Sequence, residues 1–283
     1  MKILTTIDAV RKELRRRKKL GNRIGFVPTM GALHKGHASL LRSARRENDC
    51  VVLSIFVNPT QFAPSEDYRR YPRPKNKDCM LAKQENVDII FYPSVKEIYP
   101  RSFLTEIHVR EMSDPLCGRF RPGHFDGVAL IVAKLLNIVA PNTLYLGQKD
   151  AQQCAVLKQF VRDLNVPVTV RICPTVREKD GLAMSSRNQY LSAKDRRQAA
   201  VLYQALSSAR SLIRKGERNA ATVTAHMRAM IRRGTSARIQ YLECVDAETL
   251  MARKRLSGKI LIAMAVWFKR TRLIDNIIVH AKM

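Results

Sequence analysis

The sequence predicts an α/β protein in which a parallel sheet covered by helices is followed by a smaller α+β part. Up to about residue 176, short β-branched and apolar runs alternate with helix-like patterns. Beyond that point two helical patterns precede three strand-like runs. A chain of 283 residues is long enough for two domains, which we place at 1–176 and 177–283.

The first part begins with a helix, because Ile7, Val10 and Leu14 keep helical spacing and Gly21 follows as a stop signal. Its strand-like runs are IGFV (24–27), VVLSIFV (51–57), VDIIFY (87–92), TLYLG (143–147) and VTVRIC (168–173). The run GVALIVAKLLNIV (127–139) is apolar on nearly all sides, which is typical of a helix between a sheet and a second surface. We also expect this helix to lie near a subunit interface.

In the second part, Ser192 with Asp195 three residues later predicts the start of a long helix that ends at Gly216. A second helix is predicted near 220–233. The strand-like runs that follow are IQYLECV (239–245), KILIAMAVWF (259–268) and IDNIIV (274–279). Helices followed by strands predict an antiparallel sheet.

The composition is that of a folded globular protein, with 46% apolar and 27% charged residues. The six cysteines show no metal-ligand spacing, which indicates reduced thiols in the cytoplasm. We expect no signal peptide and no membrane segment, since no run approaches the roughly 18 apolar residues of a membrane span.

The net charge is unusual, because 51 Lys and Arg residues against 24 Asp and Glu residues give +27. Three interpretations are open: a solvated basic surface, binding of nucleic acid, or attraction of small anionic substrates. No interleaving of basic and aromatic residues accompanies the charge, so nucleic-acid binding is the least favoured.

The segment PTMGALHKGHASLL (28–41) is the strongest functional signal. It carries His34 and His37, follows the first predicted strand and precedes a helix that we expect to begin near His37. A glycine loop between a strand and a helix is a common phosphate site, because the helix start offers free N–H groups. Two imidazoles there can stabilise the charge that builds up when an α-phosphate is attacked.

Two polar clusters follow other predicted strands. FVNPTQF (56–62) places Asn58 and Gln61 where they can bind a small polar substrate, although a turn around Pro59 explains the same residues. GQKD (147–150), beside Gln152 and Gln153, is either part of the same site or a solvated helix start.

Two further segments are ambiguous by themselves. LAMSSRN (182–188) offers Ser185, Ser186 and Arg187 to a triphosphate, but it is also compatible with an ordinary polar loop. In RPGHFDGV (121–128), Arg121 and His124 either serve an anionic site or belong to a Pro-Gly turn, and we assign them no role.

The motif His-x-Gly-His in this position resembles the signature of the nucleotidylyltransferase superfamily, and PTMGALHKGHASL is similar to the pantoate–β-alanine ligases. The blocks FVNPTQF, YPR (71–73), RPGHFDGV, KLLNIVAPNTLYLGQKDAQQ (134–153) and REKDGLAMSSRNQYL (177–191) resemble the family's other motifs in order. The resemblance covers almost the whole chain. It implies a Rossmann-like domain that binds nucleotide and pantoate, and a C-terminal lid domain.

The resemblance also implies the chemistry. (R)-Pantoate attacks the α-phosphate of ATP to give pantoyl adenylate and pyrophosphate, and β-alanine then displaces AMP to give pantothenate. Mg²⁺ accompanies ATP, and no residue is identified as its ligand. Relatives form homodimers through the N-terminal domain, so we expect a homodimer.

The site residues implied by the resemblance fall into three groups. Catalytic roles are expected for His37, with a proton-donor role if one residue has it, and for His34 and Lys149. ATP contacts are expected from Met30, Gly31, Ala32, Leu33, His34, Lys35, Gly36, His37, Gly147, Gln148, Lys149, Asp150, Val176, Met184, Ser185, Ser186 and Arg187. Pantoate and β-alanine contacts are expected from Gln61, Gln153 and Asn58.

Three positions depart from the family pattern. Cys117 stands where some relatives carry Glu, so no role of that carboxylate is transferred. Asn142 stands where relatives often have Asp, and Leu130 where they often have Thr. We interpret the last two as changes in packing or in a turn.

Overall fold

The computed structural model describes residues 1–64, 66–100 and 103–282. These residues form a six-stranded parallel sheet with flanking helices and, after it, a three-stranded antiparallel sheet with helices on one face. The predicted fold class is therefore confirmed. The predicted boundary after residue 176 falls in the loop that follows the last strand of the parallel sheet. That the two parts are separate domains stays a prediction.

The parallel sheet contains β1 (Lys2–Leu4), β2 (Ile24–Thr29), β3 (Cys50–Ile55), β4 (Ile89–Phe91), β5 (Thr143–Gly147) and β6 (Thr169–Cys173). Its helices are α1 (Ile7–Lys19), α2 (Lys35–Glu47), α3 (Lys75–Gln84), α4 (Val95–Ile98), α5 (His124–Val139) and α6 (Ala151–Asp163). The C-terminal part contains α7 (Ala193–Gln198), α8 (Val201–Arg214), α9 (Ala220–Gly234), β7 (Arg238–Asp246), β8 (Gly258–Phe268) and β9 (Thr271–Ala281).

The strand order of the parallel sheet, β1-β4-β3-β2-β5-β6, places β2 in the middle between β3 and β5. Because the strands are parallel and Thr29 pairs with Ile55, the loops that follow β2, β3 and β5 leave the sheet at the same edge. The polar segments predicted from the sequence therefore meet at one place.

Asn142 fixes the start of this arrangement. The side-chain Oδ1 of Asn142 accepts a hydrogen bond from the Ile24 backbone N–H at 2.7 Å. The backbone N–H of Asn142 donates to the Ile24 carbonyl at 2.9 Å. Asn142, which departs from the family pattern, thus connects the start of β2 to the start of β5 by two hydrogen bonds. Leu130, another of the three such positions, is buried in α5 and packs in the core.

Helix α5 is apolar on most of its surface because most of that surface is buried. It packs against α1, α6 and β2, and most of its residues, from Phe125 to Val139, are buried within the chain itself. Burial inside the monomer accounts for the composition, and the expected subunit interface near α5 stays a prediction.

The C-terminal sheet is covered on both faces. In β8, Ile260, Ile262 and Met264 belong to the core formed with α8 and α9, whereas Leu261 and Ala263 pack with the core of the parallel sheet. Successive residues of a strand point to opposite faces. The uninterrupted apolar run ILIAMAVWF (260–268) follows from this double burial.

Three details differ from the sequence-based expectations. The long helix from Ser192 is interrupted: Ala199 and Ala200 form a tight turn between α7 and α8, with Leu202 N–H bonded to the Ala199 carbonyl at 3.2 Å. Its predicted cap is confirmed, since the Ser192 side chain accepts from the Asp195 backbone N–H. Strand β1 was not predicted, because three residues at a sheet edge carry no periodic signal. Helix α2 begins at Lys35, two residues earlier than expected.

Candidate active site

The loop between β2 and α2 is held by a buried carboxylate. Asp78, on α3, is 2% exposed and accepts hydrogen bonds from the backbone N–H groups of Ala32 at 2.9 Å and Leu33 at 2.7 Å. Gly31 has φ of +84°, and a side chain there would approach both Asp78 and Ile55 at 3.0 Å. The loop conformation thus depends on a glycine and on a distant acid.

His34 and His37 form a reciprocal cap at the start of α2. The Gly36 N–H donates to Nδ1 of His34 at 3.1 Å, and the His34 N–H donates to Nδ1 of His37 at 3.3 Å. Since each Nδ1 is an acceptor, each neutral ring carries its proton on Nε2. The two ring centroids lie 4.1 Å apart. The arrangement therefore presents two neighbouring N–H donors beside the free N–H groups of a helix start.

Gly36 is the residue that permits this stacking. A Cβ at position 36 would lie 2.7 Å from Cε1 and 2.9 Å from Nδ1 of His34. Any side chain would displace the imidazole or open the helix start. The glycine between the two histidines of the motif is thus a steric requirement.

Both imidazoles are neutral near pH 7. Burial, and next the charge of Lys149, lower the pKa of His34 to about 4. Burial, then the neighbouring His34 and Lys149, lower the pKa of His37 to about 3. Lys149 is thus close enough to act on both rings, in agreement with a shared site.

The histidines face a cleft of about 240 Å³ at the carboxyl edge of the parallel sheet. Fifteen of the residues expected from the sequence line it: Met30, His34, Gly36, His37, Asn58, Gln61, Gly147, Lys149, Asp150, Gln153, Val176, Met184, Ser185, Ser186 and Arg187. The expected residues that do not line it are Gly31, Ala32, Leu33, Lys35 and Gln148. One wall is apolar and is formed by Phe56 and by Val128, Ile131, Val132 and Leu135 of α5.

Gln61 is held in place by Asn58. The Asn58 amide donates to Gln61 Oε1 at 3.2 Å and to the Gly127 carbonyl at 3.0 Å, and its Oδ1 accepts from Thr60 and from the Tyr99 hydroxyl. Asn58 is 1% exposed. Its polar atoms are used within the chain to position Gln61, and the expected substrate contact of Asn58 stays a prediction.

Arg121 and His124, to which the sequence assigned no role, lie directly beside Gln61. His124 Nδ1 lies 2.8 Å from the Gln61 carbonyl oxygen and donates to it, while Nε2 accepts from Arg121. Arg121 also forms an ion pair with Glu66 at 2.6 Å. Burial, followed by the charge of Arg121, lowers the pKa of His124 to about 4.

The segment 176–187 forms a short hairpin-like loop. Met184 N–H donates to the Val176 carbonyl at 3.0 Å, and Glu178 N–H to the Leu182 carbonyl at 2.8 Å. At its end, Arg187 forms two hydrogen bonds with the Asp67 carboxylate, at 3.0 and 3.2 Å. The guanidinium therefore already has an anionic partner within the chain.

Strand β9 holds two parts of the site together. The Asn276 side-chain amide donates to the carbonyls of Gln148 and Lys149, at 3.1 and 2.9 Å, and its Oδ1 accepts from the Gln148 side chain. The preceding residue, Asp275, forms a two-point ion pair with Arg177 at the base of the 176–187 loop. The Lys149 turn and this loop are thus fastened to adjacent residues of β9.

Sequence reasoning missed Asp67, Asp78 and Asn276. Each acts on a partner far away in the chain, and an isolated Asp or Asn gives no signal of such contacts. The segment RLIDN (272–276), polar residues at the start of an otherwise apolar strand, is the one pattern that could have drawn attention to Asn276.

Across the parts of the chain that the structure describes, no three His, Cys, Asp or Glu residues cluster in a way that could hold a metal. No helix in the same ranges is long and apolar enough to cross a membrane.

Comparison with known proteins identifies the family of the chain. The family model for pantoate–β-alanine ligase matches residues 2–278. The pantothenate synthetase of Caldicellulosiruptor saccharolyticus is 52% identical over 280 residues, which is 99% of this chain and 100% of that protein. The pantothenate synthetase of Thermotoga neapolitana is 53% identical over 281 residues, covering 98% and 99% of the two chains.

Solved structures show the same likeness. Pantothenate synthetase from Thermus thermophilus superposes with a TM-score of 0.94 at 43% identity, over 99% of this chain and 100% of that one. The pantoate–β-alanine ligase of Francisella tularensis, solved with β-γ ATP and β-alanine, has a TM-score of 0.80 at 38% identity, over 98% and 97%. A family match along almost the whole length, with relatives at about half identity, places this chain in the pantoate–β-alanine ligase family.

Proposed function

We propose that this chain condenses (R)-pantoate with β-alanine in the cleft at His34 and His37, by way of pantoyl adenylate. The observation that carries the proposal is the pair of neutral imidazoles with both Nε2–H groups available at the start of α2. In the first step a carboxylate oxygen of pantoate bonds to the α-phosphorus of ATP, and the bond from that phosphorus to the bridging oxygen of pyrophosphate breaks. Negative charge builds on the α-phosphate oxygens in this step.

The two Nε2–H groups donate hydrogen bonds to those oxygens. Because the donors are fixed by backbone contacts before ATP binds, no reorganisation is needed as the charge develops. His37 lies deeper than His34, and we assign it the expected donor role, in which Nε2–H donates a hydrogen bond and keeps its proton. Neutral rings also avoid repulsion from Lys149, which lies close to both.

Lys149 and the loop with Ser185, Ser186 and Arg187 are proposed to bind the outer phosphates. The ion pair of Arg187 with Asp67 means that ATP must share or displace a carboxylate to reach this guanidinium. Met184 and Val176, joined by a backbone hydrogen bond, face the same cleft and are proposed to contact the nucleotide. This loop and the C-terminal domain that carries it act as the lid, which excludes water from the mixed anhydride.

Gln61 and Gln153 are proposed to bind the hydroxyl and carboxylate groups of pantoate. Asn58 fixes the Gln61 amide from behind. The apolar wall of Phe56 and α5 matches the two methyl groups that pantoate carries on its third carbon. A polar edge opposite an apolar wall thus fits the two sides of this substrate.

Mg²⁺ is proposed to accompany ATP, supplying positive charge to the triphosphate. Within the described ranges there is no cage of three acidic or histidine ligands, but Mg²⁺ usually keeps several waters and needs only one or two carboxylates besides phosphates. Asp150, which faces the cleft beside Lys149, fits such a role. Lys149 and the 185–187 loop remain the chain's own contacts to the outer phosphates.

In the second step the amine of β-alanine, after its ammonium form has lost a proton to solvent, bonds to the acyl carbon. The bond between that carbon and the phosphate oxygen breaks, AMP leaves with the electron pair, and the nitrogen releases a second proton to give the amide. No covalent intermediate with the protein is needed, because ATP has already activated the acid. The cysteines agree with this, since burial raises the pKa of Cys50 to about 11 and of Cys244 to about 12.

We further propose that the chain works as a homodimer in the cytoplasm and that nucleic acid is not its partner. Two apolar side chains of an extended segment, Phe103 at 45% and Leu104 at 96% exposure, support a subunit contact in the N-terminal part. The free cysteines agree with a reducing compartment. Light scattering of the wild type and of Leu104→Glu tests the dimer, and a monomeric wild type would exclude it.

The decisive experiment measures AMP release that depends on both pantoate and β-alanine, together with pantoate-dependent exchange of pyrophosphate into ATP. We expect His37→Ala to lose both activities and His280→Ala, an exposed histidine at the end of β9, to retain them. Exchange that depends only on another acid would indicate a different adenylating enzyme. Sub-micromolar binding of a generic RNA at physiological salt, without pantothenate formation, would favour the nucleic-acid alternative.

A further inference from the structure

A second and larger cavity, of about 740 Å³, adjoins the histidine cleft. It lies between the 116–125 segment, the start of α6 and the C-terminal sheet. The two spaces share Arg121, His124, Lys149, Asp150, Gln153 and Arg187, so the cavity opens onto the place where pantoate is proposed to bind. ATP and pantoate account for the smaller cleft, and nothing so far accounts for the larger cavity.

The cations of this cavity differ in their partners. Arg121 is paired with Glu66, Arg187 with Asp67, and Lys149 with Asp150. A further group is exposed and solvated: Arg70, Arg238, Lys269 and Arg270.

Arg272 stands apart from both groups. It is half-buried, and within the described ranges no carboxylate lies within 4 Å of its guanidinium. Its Nε donates to Gln240 Oε1 at 2.8 Å, and one terminal nitrogen lies 3.5 Å from the Cys117 sulfur.

A thiol is a weak hydrogen-bond acceptor, so Arg272 retains unused donors next to the cavity. The guanidinium fork matches a carboxylate in two-point geometry, and a half-buried position strengthens that interaction. Cys117 cannot move away easily, because it is buried and its backbone N–H donates to the buried Gln152 side chain at 2.9 Å. Arg272 thus has a fixed neighbour in Cys117 and no acidic partner among the described residues.

We propose that Arg272 binds the carboxylate of β-alanine, which enters through the larger cavity and directs its amine past His124 towards the acyl carbon held by Gln61 and Gln153. The proposal rests on the function proposed above, in which β-alanine is the second substrate. With the phosphates and pantoate assigned elsewhere, its carboxylate is the one remaining anionic group among the reactants.

The residues that line the larger cavity suit β-alanine entering as a zwitterion with its ammonium group first. His124 is neutral near pH 7, and the charge of Arg121 is matched by Glu66, so neither repels the ammonium group. Asp150 lines both the larger cavity and the histidine cleft, and it is an acidic residue, which suits a positively charged ammonium group. Arg272 thus provides the positive charge at the far end of the path, and the two methylene groups of β-alanine separate the ends.

The test compares β-alanine with its amide, β-alaninamide, which keeps the amine and lacks the carboxylate. In the wild type we expect kcat/KM for β-alanine to exceed that for the amide by about 10- to 100-fold, as is typical of a hydrogen bond to a charged group. In Arg272→Gln the two should become nearly equal. Arg270→Gln, the exposed neighbour, is the matched control and should keep the wild-type preference.

Pyrophosphate exchange separates this proposal from the proposed function. Exchange dependent on pantoate should stay within about twofold of wild type in Arg272→Gln, because that half-reaction does not involve β-alanine. If the wild type shows no such exchange, the proposed function fails. If exchange is normal and Arg272→Gln still prefers β-alanine, the assignment of Arg272 is wrong.

A second variant covers the case in which Arg272→Gln is unstable. Gln240→Glu leaves the arginine in place and turns the oxygen that already lies 2.8 Å from its Nε into a carboxylate oxygen, which should compete with the substrate and raise KM for β-alanine at least about tenfold while exchange is retained. An unchanged KM with an intact fold, checked by the melting temperature, would also contradict the proposal.

Discussion

His34 and His37 show how residue-level geometry sets chemistry. Their Nδ1 atoms are taken up by backbone N–H groups, and burial holds both pKa values well below 6.5. The rings are therefore fixed donors at neutral pH and not titrating acids. The Nε2–H groups of the two rings are therefore oriented as hydrogen-bond donors before a phosphate binds.

The lowered pKa values predict a loss of stability on acidification. The unfolded chain takes up protons on these rings near pH 6.5, whereas the folded chain takes them up only near pH 4 and pH 3. Each ring therefore contributes stability that is fully present above about pH 6.5 and is lost as the pH falls through that window, by less than about 1.4 kcal/mol per pH unit.

Urea unfolding between pH 7 and pH 4 measures this contribution. We expect the free energy of unfolding of the double variant His34→Asn, His37→Gln to depend less steeply on pH than that of the wild type. Asn is a good helix cap, so the start of α2 should be kept. A constant difference between the two proteins across this range would show that the rings are not the source.

Gly36 allows a second prediction at the same scale. In Gly36→Ala the new methyl group would lie 2.7 Å from Cε1 of His34 and should push that ring out of position. Because one fixed donor is lost, we expect pantoate-dependent pyrophosphate exchange to fall by about a hundredfold. The melting temperature should change little, since Ala favours the helix. Full activity with a normal melting temperature would contradict the stacked arrangement.

At the scale of elements, most of the architecture was predictable from the sequence because it follows from local patterns. The β-branched runs gave β2 to β6, and helical periodicity gave α1, α5, α8 and α9. The break between α7 and α8 and the edge strand β1 lack such a pattern. The same limit applies to the site: the His-x-Gly-His motif is local, whereas Asp78 and Asn276 act on segments that only the fold brings near.

The contact between β9 and the Lys149 turn predicts a specific defect. Asn276→Ala removes the hydrogen bonds to the Gln148 and Lys149 carbonyls, so Lys149 should lose its fixed position. We expect KM for ATP to rise about tenfold, since hydrogen bonds of this kind contribute about 1 kcal/mol each, while KM for β-alanine changes little. Asn137→Ala, an exposed asparagine on α5, is the control. Equal changes in both constants would indicate a general loss of structure instead.

At the scale of the whole molecule, the charge of +27 is the property that single contacts do not explain. Many acids are already matched: Glu13 alone has Lys2, Arg16 and Arg17 as partners. The surplus of cations is therefore a diffuse field rather than a set of ion pairs. Such a field acts on approaching anions over a distance of about 10 Å at 0.1 M salt.

This field predicts different salt dependences for the substrates. ATP and pantoate are anionic, whereas β-alanine is a zwitterion without net charge at pH 7. If the positive field speeds capture of anions, kcat/KM for ATP and for pantoate should fall severalfold between roughly 20 and 300 mM NaCl, and kcat/KM for β-alanine should change far less. Sucrose at matched viscosity is the control for slower diffusion. Equal profiles for all three substrates would leave the charge as a property of a solvated surface, because a field that assists capture must distinguish an anion from a zwitterion.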